Sequence, residues 1–299
     1  MREIEFIVPS GFHGIKLKSF LRGYCNVSAR LLAKLKKEPM GIMINGRHAI
    51  ATDTLQAGDH VCLNLPRDDA KINAPPANLP FAVIYEDQDI LVVNKSSGVP
   101  MYPTPGHDKD SLLNAFSYYY SLRDEKFAYR PIYRLDKDTT GLILLAKHSY
   151  AASQLAKNVQ KTYFAICEGI LYSSGVIDLP IGLKDGHKIQ RTVRPDGVRA
   201  VTRWRSLCTG NGHSLLALHL RTGRTHQIRV HLSNFGHPLA GDDFYGGSLL
   251  LIQRQALHCG EIRLVHPVSR RKLRFVQDLP EDMQKLLLFI KNGSVNKKI

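Results

Sequence analysis

Apolar residues fall along this chain in two different rhythms. In the first 66 residues they are spaced for helices and then for strands. Ile15, Leu17, Phe20 and Leu21 fit one short helix, and after the turn at Asn26-Val27, Ser28 stands as an N-cap for a second helix through Leu31, Leu32 and Leu35. Gly41-Ile42-Met43-Ile44-Asn45-Gly46 then reads as a strand entering an Asn-Gly hairpin turn. Leu55-Gln-Ala-Gly58-Asp59-His-Val61-Cys-Leu63 reads as a turn entering another strand. Residues 67–80 carry three prolines, two asparagines and two aspartates and predict a linker. Beyond it, short apolar segments bounded by turns recur at 83–85, 90–93, 142–146, 163–168, 215–220 and 262–264. Helical stretches at 111–119 and 150–159 interrupt them, and a helix at 281–290 opens after Pro280. The class is mixed α+β. Its predicted organisation is a small unit over 1–66, a linker over 67–80, a large sheet-rich unit over 81–290 and a tail over 291–299.

Composition narrows the field. The 299 residues are 43% hydrophobic and 22% charged, which suits globular domains. Runs such as 142–146 and 286–290 stop at Lys147 and Lys291, far short of the roughly 20 apolar residues of a membrane span. The acidic start, Met1-Arg2-Glu3-Ile4-Glu5, lacks the pattern of a secretory signal, so a cytoplasmic location is expected. Five widely separated cysteines cannot close into a full disulfide set and read as reduced thiols. Thirteen histidines show no metal-ligand spacing. There is no Gly-x-Gly-x-x-Gly or P-loop lysine motif, so the phosphate-cradling loops of dinucleotide and ATP enzymes are missing. Neither a metal site nor a dinucleotide or ATP site is expected. The formal charge of +15, from 41 Lys+Arg against 26 Asp+Glu, points to a polyanionic partner. The basic residues are not gathered on one amphipathic helix as membrane anchoring would need, so nucleic acid is favoured.

Three segments concentrate candidate chemistry. Pro131-Ile-Tyr-Arg134-Leu-Asp136-Lys-Asp138-Thr-Thr-Gly141-Leu-Ile-Leu-Leu-Ala146 sends a charged, hydroxylated loop into an apolar strand, which suits either a reactive loop or an ordinary polar turn. Lys161-Thr-Tyr163-Phe-Ala-Ile-Cys-Glu168-Gly169 alternates, so Lys161, Tyr163 and Ala165 share one face of a strand. Leu220-Arg221-Thr-Gly223-Arg224-Thr-His226-Gln227-Ile228-Arg229-Val-His231-Leu232 places three internal arginines at a turn and helix start, which suits phosphate binding or a solvated basic helix. Gly236-His-Pro-Leu-Ala-Gly241-Asp242 follows. In the front unit, seven basic residues and no acid lie between Lys16 and Lys37, and helical spacing sets Arg30, Lys34 and Lys37 on one face.

In this order, the three segments and the glycine-rich stretch resemble the pseudouridine synthases of the RluA type over roughly 79–280. The front unit is similar to the alpha-L RNA-binding domain of a ribosomal small-subunit protein. The resemblance implies a mixed, largely antiparallel sheet with flanking helices and a central basic cleft, in which a uridine flipped out of RNA is isomerised without cofactor. It implies Asp136 as the catalytic aspartate, Tyr163 as the ring beneath the flipped base and Arg229 as the group orienting Asp136. Arg134, Lys161, Arg224, His226 and Gln227 are then expected against substrate, and Arg30, Lys34 and Lys37 against RNA phosphates. One position departs from the pattern: Tyr133 stands where the family usually has His. Ribosomal RNA is the favoured target and transfer RNA the other. A monomer with no obligate protein partner is expected. The readings that compete are a noncatalytic RNA-binding or ribosome-assembly factor, which should tolerate Asn at 136, and an aspartate-dependent nucleoside hydrolase, which would have little use for the charge.

Overall fold

The computed structural model describes residues 2–66, 74–123, 128–156 and 158–295. The front unit comprises β1 (Arg2–Ile7), α1 (Leu17–Gly23), α2 (Ala29–Leu35), β2 (Ile42–Ile44), β3 (Arg47–His48) and β4 (His60–Leu65), with sheet order β1-β4-β2-β3. Local chemistry explains these elements. The Ser28 hydroxyl accepts from the Leu31 amide and caps α2. Asn45 and Gly46 both take positive φ, 51° and 78°, as a tight hairpin matched to strand twist requires. The sequence reading did not anticipate β1, because of its six residues only Ile4 is buried.

The large unit continues with β5 (Ala82–Glu86), β6 (Ile90–Lys95), α3 (Leu112–Ser121), β7 (Thr140–Ala146), α4 (Ser149–Leu155), β8 (Gln160–Glu168), β9 (Ser174–Asp178), β10 (Ile181–Leu183), β11 (Arg191–Val193), β12 (Val201–Gly210), β13 (His213–Leu220), α5 (Gln227–Asn234), β14 (Leu257–Val265), β15 (Lys272–Val276) and α6 (Glu281–Val295). Nine strands form one sheet in the order β5-β6-β7-β14-β8-β13-β12-β9, with β15 also on β14. Every pairing in it is antiparallel except β7 with β14. The mixed α+β class therefore stands as read. All seven residues of β7 are buried, as expected of a strand with both faces covered. Leu216, Leu218 and Ala165 pack toward Ile228 and Leu232 of α5 on one side of the sheet. Ile166 and Leu215 pack against Met283, Leu286 and Ile290 of α6 on the other. Among the described residues no helix is long and apolar enough to cross a membrane.

Three expectations change. Residues 67–73 of the expected linker lie outside the described residues, but 74–80 is not a loose tether. The Ser117 hydroxyl and the Asn114 Nδ2 of α3 donate to the carbonyls of Ala74 (3.0 Å) and Pro75 (2.8 Å), partners that composition alone does not reveal. Helix α4 stops at Leu155 rather than 159, because β8 begins at Gln160. Helix α6 runs five residues into the expected tail, where no proline interrupts Lys291-Asn-Gly-Ser-Val295.

The two units share a core. Tyr150 of α4 is fully buried within the front unit's apolar cluster. Its ring meets Phe6 edge-on and its hydroxyl donates to the Cys25 carbonyl at 3.1 Å. Arg2 forks onto Asp89 at 2.7 and 2.9 Å, and His148 hydrogen bonds to the same carboxylate at 2.8 Å. Burial opposes the Asp89 charge, yet these partners hold its pKa down at about 2. Removing the ring should therefore unsettle both units: Tyr150→Ala is expected to cost about 3 kcal/mol or more. Chemical denaturation checks this, and an unchanged midpoint would show that Tyr150 does not couple them.

Candidate active site

The loop before β7 is fastened residue by residue. The Thr139 amide donates to the Asp136 carbonyl at 3.1 Å, closing a turn. Lys95, at the end of β6 and only 1% exposed, donates to the carbonyls of Ser96 (2.8 Å), Val99 (2.8 Å) and Lys137 (2.6 Å). Burial pushes its pKa down to about 7, against the pull of Asp138 and Asp136. Arg254 forks onto Asp282 of α6 and donates to the Asp138 carbonyl at 3.1 Å. The two backbone carbonyls that follow Asp136 are thus each held by a buried basic side chain. Gly141 takes φ 112°, and a Cβ there would come 2.3 Å from the Cys259 carbonyl oxygen, so only glycine allows β7 to lie beside β14 at this point.

Arg229 reaches the loop from α5. Its Nε and Nη2 fork onto Asp242 at 2.7 and 2.8 Å, which leaves Nη1 to donate to Asp136 Oδ2 at 3.2 Å. Both Arg229 and Asp242 are buried, at 7% and 1% exposure, whereas the Asp136 side chain is 24% exposed. Burial opposes the guanidinium charge, but hydrogen bonding and attraction from Asp242, with help from Asp136, raise its pKa. The guanidinium also lies 4.9 Å from the centroid of Tyr245. Sequence reasoning gave Asp242 no role, although a buried arginine needs a carboxylate of its own before it can orient a second one. Lys95 and Arg254 were missed as well. A lysine ending an apolar strand, as in Ile90–Lys95, was the available signal for the first.

Tyr163, central in β8 and 5% exposed, shares the cleft with Asp136. Burial pushes its hydroxyl well above its ordinary value, with Cys259 and Asp136 adding to the shift, so it is protonated at neutral pH. Tyr133 is directed into the fold, where its hydroxyl donates to the Leu142 carbonyl at 2.8 Å. Lys161 Nζ stands 4.6 Å from the Tyr133 ring centroid and is partly buried, so that sequence-predicted substrate contact is engaged inside the protein. His226 starts α5 at φ 57°. One ring nitrogen lies 2.7 Å from the Tyr245 hydroxyl and the other 3.9 Å from Asp136 Oδ2. Burial lowers its pKa against the pull of Asp136.

Arg134, Asp136, Tyr163, Arg224, His226, Gln227 and Arg229 all border one small cleft. Their roles in it differ. Arg134 and Arg224 are exposed at its rim, with Arg224 Nε donating to the Arg199 carbonyl at 3.1 Å. The Gln227 amide is fully occupied, accepting from Thr222 Oγ1 and the Arg224 amide and donating to the Val201 carbonyl and Thr202 Oγ1. It braces the loop and has no hydrogen-bonding capacity left for substrate. Arg30, Lys34 and Lys37 are exposed on the front unit, but α2 ends at Leu35. Helical spacing relates Arg30 to Lys34, and Lys37 follows in the turn that closes the helix, its amide donating to the Lys34 carbonyl at 3.0 Å. Among the described residues, Asp87, Asp89 and His266 are grouped closely enough to hold a metal ion. Asp89 there is engaged by Arg2 and His148, and Asp87 by Tyr85 and by the Asp89 and Ile90 amides.

Residues 89–234 match the family model described as RNA pseudouridylate synthase. The chain is 38% identical over 271 residues to the uncharacterized RNA pseudouridine synthase YjbO of Bacillus subtilis (strain 168), spanning 89% of this chain and 96% of that protein. It is 34% identical over 275 residues to ribosomal large subunit pseudouridine synthase D of Xanthomonas campestris pv. campestris, covering 84% and 82%. The solved structure of human RNA pseudouridylate synthase domain containing 1 superposes with a TM-score of 0.55 at 24% identity, over 73% of this chain and 97% of that one, a likeness of fold.

Proposed function

Because this chain belongs to the RNA pseudouridylate synthase family and isomerises uridine in RNA to pseudouridine, we propose that Asp136 is the carboxylate that performs the reaction. The observation that carries this reading is the Asp136–Arg229–Asp242 arrangement: a partly exposed carboxylate held at 3.2 Å by a buried guanidinium that is itself fixed by a second carboxylate. The isomerisation breaks the bond from the ribose anomeric carbon to the ring nitrogen, turns the uracil and rejoins it through carbon 5, with no net change in atoms. Asp136 has three routes open to it: removal of a ribose proton to give a glycal, attack on the anomeric carbon, or addition to carbon 6. Extruding the uridine from stacked RNA costs a few kcal/mol, which stacking on Tyr163 offsets in part.

The tyrosine has a second task in this reading. Its hydroxyl, kept protonated by burial, stands available to hydrogen-bond the turning base and to relay the carbon 5 proton late in the reaction. Tyr163→Phe should bind RNA as wild type does and lower product formation by roughly 10²-fold. Single-turnover assays separate the two effects, and a wild-type rate would leave Tyr163 as a stacking ring alone.

The proposed target is ribosomal RNA, the proposed state a monomer and the proposed location the cytoplasm. Support for the target comes from the front unit, whose two helices and strand-turn-strand follow in the order of an alpha-L RNA-binding domain and whose Arg30, Lys34 and Lys37 are exposed. Incubating the purified full-length protein with large-subunit ribosomal RNA transcript and with bulk transfer RNA tests it. Pseudouridine is expected in the first, and its formation only in the second would reverse the assignment.

A further inference from the structure

Strand β12 turns two arginines away from the cleft. Thr202 and Trp204 point into the core, and Arg203 and Arg205 project from the opposite face. Outward residues two apart on a strand are spaced roughly 7 Å. Arg203 lies across from His219 on β13, which is exposed and bonded to Thr162 Oγ1 at 3.1 Å. The line extends to Arg221, whose amide pairs with the Val201 carbonyl at 3.1 Å. Three residues further on, Arg224 stands at the cleft rim.

These side chains lack the carboxylate partners that hold several other arginines of the molecule. Arg263 and Arg274 share Glu261, Arg194 sits between Asp185 and Asp196, and Arg2, Arg123, Arg199 and Arg254 each hold an acid. Among the described residues, no acid pairs with Arg203, Arg205 or Arg221. Uncompensated like charges on a chain of net +15 repel one another and return nothing to the fold. Their value lies in meeting a polyanion.

We propose that Arg221, Arg203 and Arg205 form a phosphate track for RNA flanking the target uridine, leading from the cleft rim around the edge of the sheet onto its far face. The proposal rests on the reading of the cleft as an RNA-modifying site. It predicts contacts that carry affinity and not chemistry, since phosphate contacts position a nucleic acid without taking part in the reaction.

The test compares the full-length protein with the triple variant Arg203→Gln, Arg205→Gln, Arg221→Gln. Probes are a large-subunit ribosomal RNA transcript and a single hairpin trimmed to the modified uridine. For the transcript, the slope of log affinity against log salt should become shallower by about two units, taking roughly 0.7 per contact, and affinity should fall on the order of 10- to 100-fold near 0.1 M salt. Hairpin affinity and the single-turnover rate at saturation should stay at wild-type values. The triple Arg→Lys variant, which keeps the charge, should restore the salt slope. An unchanged slope and affinity in the Gln variant would overturn the track, as would equal losses on both probes. If wild-type protein binds the transcript but makes no pseudouridine, the reading of the cleft fails while the slope comparison still decides the track.

Discussion

Asp136→Asn should yield a folded protein that binds RNA normally and forms pseudouridine at a rate lower by roughly three orders of magnitude or more. The substitution is nearly isosteric, and the asparagine carbonyl still accepts from Arg229 Nη1. No buried charge is stranded, because Asp242 continues to neutralise the guanidinium through its fork at 2.7 and 2.8 Å. Only the ionisable, nucleophilic character is lost. All three routes open to Asp136 require it, so the expected loss is the same whichever is followed. A noncatalytic RNA-binding factor would tolerate the change with no phenotype. Single-turnover assays at saturating enzyme, alongside RNA affinity, check this result, and an Asn variant within about tenfold of the wild-type rate would remove Asp136 from the mechanism.

The second large effect is expected at Asp242, which does not touch the loop. Asp242→Asn leaves Arg229 buried with one charged contact, the 3.2 Å bond to the more exposed Asp136. Breaking one side of a buried pair costs about 3–5 kcal/mol. For a protein of this size that corresponds to a fall in melting temperature on the order of 10 °C. The reaction rate should drop too, since a guanidinium released from its fork no longer aims at Asp136. Thermal unfolding and single-turnover kinetics read the two losses separately. The double variant Asp242→Leu, Arg229→Met distinguishes them further: it removes both charges, so stability should recover substantially while activity stays lost. Wild-type stability and rate in Asp242→Asn would mean that the pair has no part in holding the site.

Local chemistry was legible in the sequence wherever one residue decides a conformation. Ser28 and Asn45-Gly46 mark a cap and a turn by the groups they carry, and α2 and the β2-β3 hairpin follow at those positions. The apolar run of β7 likewise announced a central strand. What escaped were strands with one charged face, whether the partner is distant, as for β1, or next in the chain, as for β12 and β15. Strands β1, β12 and β15 expose charged residues on one face and look like polar loops until their neighbours are known. His148 caps α4 through Nδ1 while its other nitrogen meets Asp89, and no single-sequence rule favours histidine there.

The same division runs through the site. Arg134, Asp136, Tyr163, Arg224, His226 and Arg229 lie in three motifs that the fold gathers at one cleft, and the resemblance had already grouped them. Gln227 and Asp242 exchange importance because burial decides both. The first spends its amide on the fold, and the second, inside a glycine-rich stretch that reads as a loop, is 1% exposed and anchors the key arginine. Lys95 and Arg254 act on carbonyls from strands and loops far along the chain. Neither spacing nor composition encodes such contacts.

The central claim, that this chain makes pseudouridine in RNA through Asp136, meets its most direct test in the cell. Pseudouridines are mapped across total RNA from a strain whose own copy carries Asp136→Asn and from its parent. The account predicts that one or a few ribosomal RNA positions lose the modification in the variant while the protein persists at parental abundance. Identical maps from the two strains would contradict it.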